Sequence, residues 1–430
     1  MVMEKPSTSE NSTRDWLCPI PAHWDVRRNG RLFRELKLPG RKDLPILTVS
    51  IHDGVAVRDM DDQNHRQMME DKEKYQSLRK GDIAYNMMRM WQGAVGVAPV
   101  DGLVSPAYVC ARPHPEVNPK YYEYLFRTPI YKGEVEGYSR GIVSDRNRLY
   151  WEGFKQIPSP YPPIEEQDAI VAFLDHKLEE IDHFITNKHR LIELLDEGFQ
   201  RTVDRLTRNG NSEAEFVDSR IDWIGDVPSH WKITPLKHAF SSMEYGISDS
   251  GNNEGTIPVL TMGHIHAGEV TVPSSGGVAQ IESNMLLQDG DLLFNRTNSL
   301  ELVGKVGRFE DVGHDVTFAS YLVRLRPKLN VDSEYMNYVL NSPSILRIAR
   351  QNAIPSLHQA NLNPTRYGRI HIALPPFEEQ KKIRKAIKRR HEEFDNTRSR
   401  YAREIELMKE FRTSLIAEAV TGKIDVRARA

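Results

Sequence analysis

The chain has 430 residues, 39% of them apolar and 27% charged, which excludes wholesale disorder and leaves room for two or three ordinary domains. A formal net charge of -2 excludes a uniformly basic nucleic-acid binder, so any such contact must use local basic surface or share the phosphates with a partner. Two cysteines, Cys18 and Cys110, are too few for a disulfide framework or a four-thiolate zinc site and fit a reducing compartment.

Residues 1–15 form a polar extension without the apolar core of a signal peptide. With no run of 18 apolar residues anywhere, the expectation is a cytoplasmic protein without membrane contact. A globular segment follows over 16–160. It opens on Ile20-Pro21-Ala22-His23-Trp24, where proline fixes a turn and tryptophan supplies an anchor. Strand-like runs cover 46–51 and 82–85, and 119–126 suits a short helix. Gly93 and Gly96 read as tight turns. At 161–167 the sequence Tyr-Pro-Pro-Ile-Glu-Glu-Gln sets up a helix start, with acids where free amide hydrogens favour them.

Residues 161–207 then carry a heptad stripe. Leu174, Ile181, Lys188 and Leu195 recur every seven, interleaved with Leu178, Ile185, Ile192 and Phe199. A helix of about 44 residues from Pro163 would be roughly 65 Å long. After a linker over 208–220, rich in Asn, Gly and Ser, the whole pattern returns. Val227-Pro228-Ser229-His230-Trp231 opens a second globular segment over 221–373, with strand-like runs at 259–265, 291–294 and 321–325 and a short helix over 333–340. Gly81-Asp82 to Asn86 matches Gly290-Asp291 to Asn295, and Gly93 and Gly96 match Gly304 and Gly307. Leu374-Pro375-Pro376-Phe377-Glu378-Glu379-Gln380 starts a second long helix over 374–422, before a tail over 423–430. Its stripe holds Ile387, Phe394, Tyr401, Met408 and Leu415, interleaved with His391, Arg398, Ile405 and Arg412. The two seams pack economically on each other, and the polar interruptions favour one register. The expected fold is α+β: two similar domains separated by two long antiparallel coiled-coil helices, an internal repeat with pseudo-two-fold character.

Catalytic signatures are missing: no phosphate loop, HExxH helix or paired CxxC occurs, so no catalytic and no metal residues are assigned. His264 and His266 alternate as if on one strand face, without a third ligand. Polar loops at matching places in the two copies point instead to nucleic acid. The first copy offers Arg89, Arg140, Arg146 and Arg148, the last three beside Tyr150 and Trp151. The second offers Asn295, Arg296, Thr297 and Asn298, then His358, Gln359 and Asn361. Arginine suits guanine or phosphate, and amides suit the adenine edge. From Lys381 to Arg403, ten Lys and Arg oppose three acids, a basic run for DNA phosphates or an acidic partner.

The ordered set of Pro-x-His-Trp motifs, Pro-Pro-x-Glu-Glu-Gln motifs and the closing Ser414-Leu415-Ile416 to Arg427 segment is similar to the specificity subunits of bacterial Type I restriction-modification systems. The resemblance implies two target-recognition domains that read the halves of a bipartite, asymmetric double-stranded DNA target. It implies helices that act as a ruler and dock two modification (methyltransferase) subunits, with restriction/translocase subunits joining them. S-adenosylmethionine, ATP and magnesium are then implied for those partners and no cofactor for this non-catalytic chain. The first copy departs from the pattern: Cys18-Pro19 replaces Gly225-Asp226, and the first helix lacks the full Ala419 to Lys423 ending, which leaves its end unassigned. The competing reading is a coiled-coil protein-interaction scaffold without DNA specificity.

Overall fold

The computed structural model describes residues 20–58, 72–141, 147–210, 214–248, 255–356 and 359–427. The chain divides into two compact units, Met1–Lys188 with Arg403–Ala430, and His189–Ala402. Each combines one globular repeat with part of both long helices, Ile164–Asn209 and Phe377–Val420.

In the first unit, a four-stranded antiparallel sheet has the order Phe33–Leu36, Tyr108–Pro113, Ile83–Asn86, Val95–Val97. The strand Ile83–Asn86 lies inside the fold with both faces covered. Ile83 and Tyr85 enter one apolar cluster and Ala84 another, as the two-residue period of a strand demands. Asn118 caps the helix Pro119–Phe126 by accepting hydrogen bonds from the amides of Lys120 and Tyr121. From the long helices, Leu174, Leu178 and Ile181 share the main cluster with Leu415, Ala419 and Val420, and Ile185 and Met408 pack at its edge. Lys188 pairs with Glu404 at 2.7 Å and Asp182 with Arg412 at 2.7 Å, so the two segments run antiparallel. Ile405 is buried beside this register.

The second unit repeats the plan. Its sheet begins Phe240–Tyr245, Leu322–Pro327, Leu292–Asn295, Val306–Arg308, with antiparallel neighbours, and continues through the short strands Glu269–Val270 and Ile265–His266. Leu292 and Phe294 face the main cluster and Leu293 the other side. Asp332 caps the helix Ser333–Leu340. Val203 and Leu206 of the first long helix meet Ile383 and Ile387 of the second in the core, while Phe199 stacks on Phe394 and His391. Ile192, Leu195, Phe394 and Tyr401 are only half-buried. Within each unit, the helix segments are most buried where they meet the globular repeat.

One end left open is fixed, and three expectations change. The first long helix runs to Asn209, where Gly210, at φ +66°, ends it against Trp231; Gly422, at φ +72°, ends the second against Pro21 and Trp24. Gly93 and Gly304 do make turns with positive φ, but Gly96 and Gly307 sit in strands. A Cβ on Gly96 would stand 2.5 Å from the Val55 amide nitrogen, so close packing, not a turn, explains this glycine. His264 belongs to a one-turn 3-10 helix, not to the strand of His266, and its Nδ1 accepts from the Thr261 amide. Burial, and secondarily the charge of His266, hold its imidazole below the ordinary range. The run at 259–265 is accordingly broken into Val259–Leu260, the 3-10 turn and Ile265–His266.

Candidate functional site

The motifs shared by the repeats build one frame twice. In the first, Gln167 accepts from the Asn118 amide at 2.8 Å and donates to the carbonyls of Pro162 and Glu116 at 2.8 and 3.3 Å. In the second, Gln380 accepts from the Asp332 amide at 2.9 Å and donates to Pro375 and Asn330 at 2.9 and 3.3 Å. His23 meets Glu166 at 2.8 Å, and His230 meets Glu379 at 2.7 Å. These contacts explain the Pro-x-His-Trp and Pro-Pro-x-Glu-Glu-Gln motifs. The glutamates and glutamine fasten a long helix to the globular part that precedes it.

The Gly-Asp pairs serve the same purpose at the central strand. Asp82 accepts both bonds of an Arg112 fork at 2.6 and 2.7 Å, and Asp291 those of Arg326 at 2.8 and 2.7 Å. From this fixed base each strand runs four residues and delivers an asparagine to the loops, Asn86 or Asn295.

Beyond the asparagine the two copies keep one bond and change the chemistry. The Leu149 amide donates to the Met87 carbonyl at 2.8 Å, and the Leu362 amide to the Arg296 carbonyl at 2.7 Å. In the first copy, Arg140 and Arg148 exchange two backbone hydrogen bonds of 3.0 Å. That pinch, together with the Leu149 bond, joins the Arg140 and Arg148 backbones to the turn carrying Arg89. Arg89, Arg140 and Arg148 are all exposed. Tyr150 and Met88 are exposed beside them in sequence. Arg146 lies outside the described residues.

In the second copy, Thr297–Asn298 pairs with Ala360–Asn361, which also pairs with Ile354–Pro355. Arg296, Asn298 and Asn361 are partly exposed and Gln359 is exposed. Asn295 and Thr297 are only 3% and 8% exposed, so these two side chains line the base of the site and not its surface. His358 lies outside the described residues. Two exposed tyrosines at the same end of the sheet, Tyr245 and Tyr321, escaped sequence reasoning. Tyr245 closes its strand opposite Val323, and the Tyr321 carbonyl accepts from the Arg296 amide at 3.1 Å.

Among the described residues no group of three His, Cys, Asp or Glu side chains could hold a metal ion, and no helix is long and apolar enough to cross a membrane.

A family model described as the Type I restriction modification DNA specificity domain matches residues 228–406. The chain is 24% identical over 328 residues to the type I restriction enzyme EcoKI specificity subunit of Escherichia coli K12, a match covering 74% of this chain and 68% of that protein. Over 204 residues it is 26% identical to a protein of Methanocaldococcus jannaschii provisionally named the type I restriction enzyme MjaX specificity subunit, covering 46% of this chain and 47% of that one. The MjaVIII specificity subunit of the same organism is 24% identical over 285 residues, 64% of each chain. The chain thus matches about half to two thirds of the length of these relatives. Among solved structures, a chain of a type I R-M system aligns with a TM-score of 0.68 at 16% identity, covering 94% of this chain and 99% of that one. The HsdS subunit from Thermoanaerobacter tengcongensis aligns at 0.58 and 16% identity, covering 94% and 98%. At that identity the two structures establish the fold, with its two α+β domains and long helices.

Proposed function

We propose that the chain is a DNA-specificity subunit of a Type I restriction-modification system, the non-catalytic chain that gives such a complex its target sequence. The observation that carries the proposal is the duplicated frame. Glutamine clamp, Asp-Arg fork and the Leu-to-carbonyl bond recur in both repeats, while the side chains they present differ. Arg89, Arg140 and Arg148 stand on one copy, and Arg296, Asn298, Gln359 and Asn361 on the other. One scaffold carrying two unlike polar surfaces suits an asymmetric target with two separate halves.

The domains bounded by 16–160 and 221–373 each read one half, and the helices over 161–207 and 374–422 set the unread gap. Leu191 and Leu194 on the first helix, and Leu407 and Phe411 on the second, expose apolar surface suited to two modification subunits. Those subunits bind S-adenosylmethionine and flip the target base, and the restriction/translocase subunits use ATP and magnesium. The weak net charge fits phosphate contacts shared among subunits.

The test is a domain exchange in the assembled complex. Replacing 221–373 with another recognition domain and mapping methylated positions should change one half-site and leave the other. A complex that methylates without sequence preference, or changes both halves at once, would refute the proposal.

A further inference from the structure

Arg296, partly exposed, is held from several sides. Its guanidinium carbon lies 5.0 Å from the centre of the Tyr245 ring. Nη2 donates to Asn361 Oδ1 at 3.2 Å, and Nη1 to the Ser320 carbonyl at 3.3 Å. Asn361 is itself fixed by donating to Thr297 Oγ1 at 3.2 Å. Arg296 Nε is buried and has no acceptor among the described residues. A guanidinium has five donors, so this arrangement leaves a second hydrogen on each Nη for a ligand.

A phosphate contact needs a positive charge and tolerates a mobile side chain. A base contact needs a flat fork in a fixed plane, which matches guanine O6 and N7 with two parallel bonds. Fixing the fork before DNA arrives removes part of the ordering cost of binding. Position also points to specificity: Met87, which cannot donate, holds the same place in the first copy, where its carbonyl takes the Leu149 amide as that of Arg296 takes Leu362. The base-reading chemistry thus changes where the frame is constant.

We propose that Arg296 reads a guanine in the half-site of the second domain, and that Tyr245 and Asn361 are positioning residues that hold its guanidinium in the reading plane. The inference rests on the DNA-specificity proposal above and adds the base class and the reading residue. Its test uses the complete modification complex and maps methylated sites on genomic DNA. Arg296→Ala should lower the preference for guanine at one position of one half-site by roughly 5- to 150-fold, the range for a bidentate pair. The other half-site should be unchanged. Arg296→Lys should lose the same preference, because an ammonium cannot make the fork. Tyr245→Phe should retain it, and Tyr245→Leu should relax the same position.

Uniformly weaker methylation with every base preference intact, in both Arg296→Ala and Arg296→Lys, would overturn the guanine assignment. A wild-type half-site for this domain without any G·C pair would do so too. Wild-type behaviour in Tyr245→Leu would overturn the positioning role. If Arg296→Ala proves insoluble, Arg296→Lys and Tyr245→Leu decide. A wild-type complex without any sequence preference would refute the DNA-specificity proposal itself, a result distinct from those above.

Discussion

Replacing Gln380 by alanine tests whether the glutamine clamp fastens the second helix to its domain. The substitution strands two buried backbone groups, the Asp332 amide, which loses a 2.9 Å acceptor, and the Pro375 carbonyl, which loses a donor at 2.9 Å, and one part-buried group, the Asn330 carbonyl, which loses a donor at 3.3 Å. A buried group left unpaired costs about 1–3 kcal/mol, and carbonyls tolerate it better than amides, so about 2–4 kcal/mol is expected for the three. Gln380→Glu should be no better, since a carboxylate would face two carbonyl oxygens. Native-state hydrogen exchange followed by mass spectrometry reads the loss locally. Core peptides within His189–Ala402 should exchange about 30- to 700-fold faster, and those of the other unit should keep their protection. Gln167→Ala, with bonds of 2.8, 2.8 and 3.3 Å, should do the same to the first unit. A loss below about 1 kcal/mol in either variant, or a loss shared equally by both units, would refute the reasoning.

Arg112→Ala and Arg326→Ala each leave a buried carboxylate unpaired, Asp82 or Asp291, and should cost about 3–5 kcal/mol in urea denaturation. Burial first, then the charges of Asp82 and Glu35, push the Cys110 thiol from 9.0 up to about 12. In a Cys18→Ser background, Cys110 should therefore resist maleimide at pH 8 until the chain unfolds. Between those two values the unfolded thiol has lost a proton that the folded one keeps, so stability should fall as pH rises above 9. Buried Tyr85 and Tyr121, raised mainly by desolvation, act in the same direction above 10, and a denaturation midpoint that is flat from pH 8 to 11 would contradict this. Lengthening both long helices by one turn, about 5.4 Å, should change the unread gap by about one or two base pairs at roughly 3.4 Å each, as mapped methylation sites would report.

The duplicated frame was legible because its residues serve backbone geometry, and geometry that is built twice needs the same side chains twice. The polar breaks in the heptads were legible for a similar reason: Lys188 finds Glu404, Arg412 finds Asp182 and His391 stacks on Phe199. What stayed hidden depends on distant partners. Nothing local tells that Gly96 is needed because the Val55 amide passes beside it, or that Gly210 closes a helix against Trp231. Tyr245 carries no local mark of a role, and only folding sets it beside Arg296. The burial of Asn295 and Thr297 was equally beyond reach, since a polar residue after a strand reads the same whether it lines a surface or supports one.

The hydroxyl of Tyr121 donates to the Val420 carbonyl 299 positions away, and Leu415, Ala419 and Val426 complete the core of the first unit. The second unit draws on one unbroken stretch, His189–Ala402. On the ribosome, then, the order of completion is reversed relative to the order of synthesis. The later unit can close first, while the earlier one waits for 403–427 with its apolar surface uncovered. At about 5–20 residues per second, the stretch from Lys188 to residue 427 makes the wait roughly 12–48 s. A released chain ending near residue 402 would carry one finished unit and one open core, the state most exposed to chaperones and to aggregation.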